Sequence, residues 1–134
     1  MSLSSEDRQK LVVLAVNARQ KAYAPYSHYS VGAALLTRAG LIYTGCNVEN
    51  AAYPTTMCAE RVAVFTAVAQ GQRVIDAIVV ATSNGGSPCG SCRQVLAEFG
   101  LDTLVICIDE SGKVVIETDL RSLLPGAFTP LDLA

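Results

Sequence analysis

Cys58-Ala59-Glu60 and the later Pro88-Cys89-Gly90-Ser91-Cys92 place the tightest limit on how this chain can fold. Three thiols that share one metal must meet in space, so the fold has to carry position 58 to positions 89 and 92. Zinc takes sulfur and nitrogen donors in tetrahedral geometry, and a catalytic zinc differs from a structural one in leaving the fourth position to water. Cys58, Cys89 and Cys92 supply three donors. A metal of this kind lowers the pKa of its water to about 7, and hydrolysis then needs a group to move the proton. Glu60, two residues past the first ligand, is placed for that task.

Periodicity gives the frame that holds these residues. Ser4 or Ser5 can cap a first helix in which Leu11, Leu14 or Ala15, Ala18 and Ala22 recur at helical spacing, ending before Pro25. Residues 31–37 and 41–47 read as strands, and the short Arg38-Ala39-Gly40 between them predicts an antiparallel hairpin. Residues 58–70 form a buried helix closed by Gly71, and 77–82 a continuous apolar strand that Asn84-Gly85-Gly86-Ser87-Pro88 interrupts. A helix over 89–99 and a strand over 104–108 complete a parallel crossover. Glu110-Ser111-Gly112-Lys113 is too short for another crossover, so 114–117 returns antiparallel, followed by a short helix capped at Thr118 that runs to Leu124.

The outcome is an α/β fold, a three-layer α/β/α domain with a five-stranded mixed sheet, and the whole of 1–134 reads as one domain. Both halves of the metal motif then fall at helix N-termini, whose partial positive charge and free N–H groups suit thiolates. Cys89 and Cys92, three apart, are neighbours on one first turn.

Net charge is −2 with Lys and Arg dispersed, so no basic stripe exists to hold a phosphate backbone, and polymeric nucleic acid is excluded as a partner. The apolar run at 11–16 is too short for a signal segment or a membrane span, which leads us to expect a cytoplasmic protein. Five cysteines, three of them in a metal pattern, also fit a reducing compartment rather than a disulfide framework. A hydrophobic content of 51% is high for a domain this small and points to apolar surface that meets another subunit.

The order C-x-E then P-C-x-x-C matches the zinc-dependent nucleobase deaminases, here with Cys in place of His as the first ligand. With 22–27 (AYAPYS), 31–36 (VGAALL), 45–51 (GCNVENA), 58–61 (CAER), 88–94 (PCGSCRQ) and 123–125 (LLP), nearly the whole chain resembles the small cytidine deaminases that act on free nucleosides. That resemblance implies hydrolytic deamination at C4 of the cytosine ring, converting cytidine and 2′-deoxycytidine to uridine and 2′-deoxyuridine in pyrimidine salvage. It implies one Zn²⁺ per subunit, Glu60 as proton carrier to ring N3 and to the departing ammonia, and Arg61 bonding a ligand sulfur. Backbone groups near Ala59 and Ser87 are expected at the base edge. Asn47 and Glu49, two apart at a strand end, share a face and can fix sugar hydroxyls, while the carboxylate repels a phosphate. The resemblance assigns both to the ribose. Tyr29 stands where the family has Phe, and Phe128 matches an aromatic contributed from a neighbouring subunit of a homotetramer.

Other readings remain open on sequence. Cys89-x-x-Cys92 is also a redox-pair spacing, and a closed structural zinc could recruit His28, Cys46 or Cys107 as a fourth ligand. Against these, His28 reads as a loop residue and Cys46 and Cys107 as buried strand thiols. Blasticidin-S deaminase shares the zinc motif but lacks the Asn-x-Glu-Asn segment, and is the runner-up enzyme. Arg93 and Gln94 are expected to brace their helix and its neighbours. Tyr23, Tyr26 and Tyr53 suit an interface or a substrate wall equally well.

Overall fold

Ser4 starts the first helix, its hydroxyl accepting the Asp7 N–H at 3.0 Å, with Glu6 and Asp7 in the first turn where negative charge is favoured. The computed structural model describes residues 3–134. Helix α1 (Ser5–Arg19) stops short of the expected Ala22. Lys21 and Ala22 bond three residues back, to the carbonyls of Ala18 and Arg19, which tightens and ends the helix. Tyr23 then exchanges backbone bonds with Asn47 and Glu49, bridging to Val48.

The hairpin forms as read, β1 (Gly32–Thr37) antiparallel to β2 (Ile42–Cys46). Helix α2 (Ala59–Ala69), with Cys58 as N-cap, ends before Gly71, whose φ of 90° favours glycine. Strand β3 (Ile75–Ala81), helix α3 (Gly90–Phe99) and strand β4 (Leu104–Ile108) make the parallel crossover, and β5 (Val114–Asp119) returns antiparallel. Thr118 does not cap the last helix. It pairs with Val105 inside β5, and Asp119 does the capping, its carboxylate accepting the Ser122 N–H at 2.8 Å ahead of α4 (Leu120–Leu123). The ladder runs one pair further, to Leu104 with Asp119, so the helix starts only at Leu120 and the cap falls to Asp119 just before it.

Sheet order is β2-β1-β3-β4-β5. Side chains alternate across it, as the two-residue period demands. Ala34, Leu36, Val79 and Ile106 face α1 with Leu11 and Ala15, while Ala33, Leu35, Ile78, Val80 and Val105 face α2 and α3 with Ala63, Val64 and Leu96. That gives the three layers. Two glycines let the helices sit close: a Cβ on Gly32 would lie 2.2 Å from the Ala15 carbonyl, and one on Gly45 would lie 2.5 Å from the Ala59 carbonyl. Gly45 therefore fixes where the first turn of α2 rests. Because Gly32 pairs with both Cys46 and Ala81, and Ala81 with Ile108, the loops following β2, β3 and β4 and the loop preceding β1 all gather at one end of the sheet. Among the described residues no helix is long and apolar enough to cross a membrane.

Candidate active site

At that end the N-termini of α2 and α3 converge. Cys58 caps α2, Cys89 caps α3, and Cys92 lies in the first turn of α3. The Cys58 and Cys89 sulfurs are 3.9 Å apart and those of Cys89 and Cys92 3.4 Å, with all three within 4.8 Å of one another. Three thiolates around zinc at about 2.3 Å would stand about 3.8 Å apart, so the donor set and its spacing fit that ion. Among the described residues no fourth side chain of ligand type joins the cluster. Of the candidates for a closing ligand, Cys46 is only half-buried, its thiol directed to the Lys21 carbonyl, and Cys107 is a fully buried strand thiol. His28 is an exposed turn residue with φ of 57°.

The three thiols share their charge unevenly. The neighbouring Cys92 thiol pulls the Cys58 thiol down to about 5, with Arg61 assisting against burial. Cys92 is pushed far up by the neighbouring Cys58 sulfur, by burial and by the Glu60 and Cys58 charges. A second and third thiolate would need a cation between them. Arg61, in the first turn of α2, donates to the Cys58 sulfur at 3.2 Å, and its Nε is buried with no partner. Glu60 is 5% exposed. Burial, reinforced by the Cys58 charge, raises its carboxyl to about 6, close to where a group can both take and give a proton near neutrality.

Tyr29, Asn47, Glu49, Ala59 and Ser87 line a cavity of about 260 Å³ together with Cys58, Glu60 and Cys89. The Asn47 side chain ties down the loop before β1, accepting from the Val31 N–H and donating to the Tyr29 carbonyl, both at 2.9 Å. Its amide keeps one N–H and one lone pair in reserve. Glu49 accepts from the N–H groups of Tyr26 and Ser27, at 3.0 and 3.1 Å, and from the Ser27 hydroxyl. The Ser27 hydroxyl, ahead of the two backbone bonds, holds this carboxyl below its ordinary range and so ionised. Phe128 is not in its own chain's cavity; it is 56% exposed, and its carbonyl accepts from Gln94 at 2.9 Å. Arg93 spans the carbonyls of Pro88 and Leu123 and the hydroxyl of Ser87, at 2.8 to 2.9 Å, and so braces the turn into Cys89. Ser27, Thr56, Thr82 and Gly86 also line the cavity, and no short spacing singles them out as site residues, because segments remote in the chain supply them.

A family model described as the cytidine and deoxycytidylate deaminase zinc-binding region matches residues 5–108. The chain belongs to this family. It is 47% identical over 130 residues to a cytidine deaminase of Sporosarcina psychrophila, covering 96% of each chain. A cytidine deaminase of Halalkalibacterium halodurans is likewise 47% identical over 130 residues, covering 95% of this chain and 98% of the relative. The crystal structure of the cytidine deaminase from Burkholderia pseudomallei superposes with a TM-score of 0.86 at 44% identity, covering 94% of this chain and all of that one. These deaminase relatives are enzymes, this chain has their fold, and its three-cysteine cluster fits the zinc-binding region that the family's description names. Zinc is the metal that both the family's description and the donor set point to.

Proposed function

We propose that this protein hydrolyses free cytidine and 2′-deoxycytidine to uridine and 2′-deoxyuridine with release of ammonia. One observation carries the reading: the three-thiol cluster, a buried carboxyl at Glu60 and the Asn47–Glu49 pair open onto a single cavity. Cys58, Cys89 and Cys92 would hold zinc, which would supply a Lewis acid that makes water nucleophilic at neutral pH. Glu60 takes one proton from the attacking water and delivers it to ring N3 as the oxygen joins C4. It then carries the second to the amino group, and the C4–N bond breaks as ammonia leaves with the electron pair. Arg61 offsets the negative charge of the cluster through the Cys58 sulfur. Backbone groups at Ala59 and Ser87 hold the base edge, and Tyr29 gives it an aromatic wall.

Asn47 and Glu49 take the sugar hydroxyls. The ionised Glu49 would repel a nucleotide's phosphate, which favours the free nucleoside. The whole chain acts as one domain with one zinc per subunit, in the cytoplasm, in pyrimidine salvage. A homotetramer places Phe128 in a neighbour's cavity. Supporting this, the tail leaves Phe128, Leu131 and Leu133 at 56%, 84% and 80% exposure.

The test is a substrate panel followed by the absorbance change on ammonia loss. Cytidine and deoxycytidine should turn over well ahead of cytidine monophosphate, adenosine and blasticidin S. Equal efficiency on the monophosphate would remove Glu49 from the sugar site, and a preference for blasticidin S would overturn the substrate assignment. Sedimentation of wild type beside Phe128→Ala tests the shared site: a tetramer in both, with the variant defective in turnover, is the expected pair of results.

A further inference from the structure

The segment Asn84-Gly85-Gly86 reads in sequence as no more than a strand breaker, yet it is pinned on three sides. The buried Thr82 hydroxyl accepts the N–H groups of Gly85 and Gly86 at 2.7 and 3.0 Å and donates to the Asn84 side-chain oxygen at 3.3 Å. The Asn84 backbone bridges to Asp109 just past β4. Neither glycine has room for a side chain. A Cβ on Gly85 would lie 2.4 Å from Val115, and one on Gly86 would lie 2.7 Å from the Tyr29 hydroxyl oxygen. Into this anchored turn Tyr29 donates its hydroxyl to the Asn84 oxygen at 2.7 Å, a bond between residues 55 apart in the chain.

We propose that Asn84 is a positioning residue: its side-chain oxygen holds the Tyr29 hydroxyl and so locks the aromatic ring of the cavity to the loop that leads to Ser87 and Cys89. This rests on the nucleoside reading of the site. The phenol that replaces the family's Phe is thus used away from the substrate, as a strut between two cavity segments just beyond the last β1–β3 pair, Gly32 with Ala81. Cys58, Glu60 and Cys89 are seated on α2 and α3 and do not depend on the strut. Its loss loosens the wall that receives the base, so the defect falls on KM rather than on kcat.

Four variants decide it: Asn84→Ala, Asn84→Asp, Tyr29→Phe and the double Asn84→Ala/Tyr29→Phe. Asn84→Ala and Tyr29→Phe should each raise the KM for cytidine about threefold to tenfold, the worth of one internal hydrogen bond. The double variant should be no worse than either single one, because both remove the same bond. Asn84→Asp retains an acceptor oxygen and should restore KM toward wild type. An unchanged KM in Asn84→Ala, defects that multiply in the double variant, or a fall in kcat with loss of zinc would each overturn the proposal. Hydrogen exchange over residues 84–87 of the substrate-free, zinc-loaded protein gives a readout without turnover. It should quicken in Tyr29→Phe; unchanged exchange overturns the strut even where cytidine proves not to be the substrate, while quickened exchange with no cytidine turnover by wild type overturns the substrate reading alone.

Discussion

The two faces of the sheet are built from the same strands and are put to different uses. On the α1 face Leu11, Ala15, Ala34, Leu36, Val79, Ile106 and Ile108 make an apolar layer. On the other face β3 contributes Ile78 and Val80, but α2 and α3 bring to it a buried carboxyl at Glu60 and a buried thiol at Cys92. Burying groups that can ionise is costly unless something nearby answers their charge. The α2–α3 face accepts that cost at the one place where two helix N-termini and an arginine converge. The α1 face has no such burden and can be given wholly to packing. Changes on one face should therefore alter chemistry, and changes on the other stability alone.

Glu60→Gln gives the largest expected separation. It preserves shape and the three thiols, so zinc content should stay near one per chain while turnover falls by at least about 10²- to 10⁴-fold, the range of general acid–base catalysis. Metal analysis beside steady-state kinetics checks both halves. Chelation of the wild-type protein should also abolish turnover, with recovery on adding zinc back, whereas chelation and re-addition leave the glutamine variant inactive. Near wild-type turnover in Glu60→Gln with zinc bound removes the assigned proton carrier.

The opposite result is expected from Leu11→Ala. Leu11 is fully buried in the α1 layer, and large-to-small changes at such sites cost roughly 2–5 kcal/mol. Denaturant midpoints should fall accordingly, while KM and the kcat of the folded fraction stay where they were. A changed kcat below the unfolding transition would mean that the faces are coupled.

The difference between the faces also marks what a reader of the sequence could see. Short apolar runs bounded by turn residues located every strand and the crossover, because the continuous apolar stretches of β1, β3 and β4 are a local property of the chain. The metal cluster was legible for the same reason: Cys58 and Glu60 lie on one helix tip, Cys89 and Cys92 on another, and each spacing is short. Elements fixed by competition between neighbours were less visible. Thr118 looked like a cap until the β5 ladder claimed it, and α1 was expected to reach Ala22 where tight turns stop it. Contacts between remote loops were not visible at all. Nothing in residues 24–31 indicates that Tyr29 will find Asn84, or that the Asn47 amide will be spent partly on the backbone of Tyr29 and Val31.

Arg61→Gln probes the chemical face more gently. The guanidinium bonds the Cys58 sulfur at 3.2 Å, and removing a group that supports a metal ligand typically costs about 10- to 100-fold in metal affinity or activity. Competition with a zinc chelator should show the variant losing metal at a lower chelator concentration, with kcat per bound zinc reduced far less than in Glu60→Gln. If both variants lose turnover equally while retaining zinc, the division of labour between these adjacent residues fails.

The smallest expected effect belongs to the α1 face. Arg8 on α1 grips Glu117 on β5 through two 2.8 Å bonds, and the first of the causes that hold the Glu117 carboxyl below its ordinary 4.5 is this hydrogen bonding. A carboxyl with a depressed folded-state pKa stabilises the fold above its unfolded pKa, and that contribution disappears as pH falls through the folded value. Both side chains are more than a third exposed, so screening limits the pair to about 1 kcal/mol or less. Wild type should exceed Glu117→Gln in stability by that small margin at pH 7, and the gap should shrink on acidification from near pH 4.5 downward and in high salt. Turnover at pH 7 should be the same in both. A gap that persists in strong acid would come from packing of the side chain rather than from its charge, and a turnover defect would show that the seating of α1 reaches the thiol cluster through the sheet.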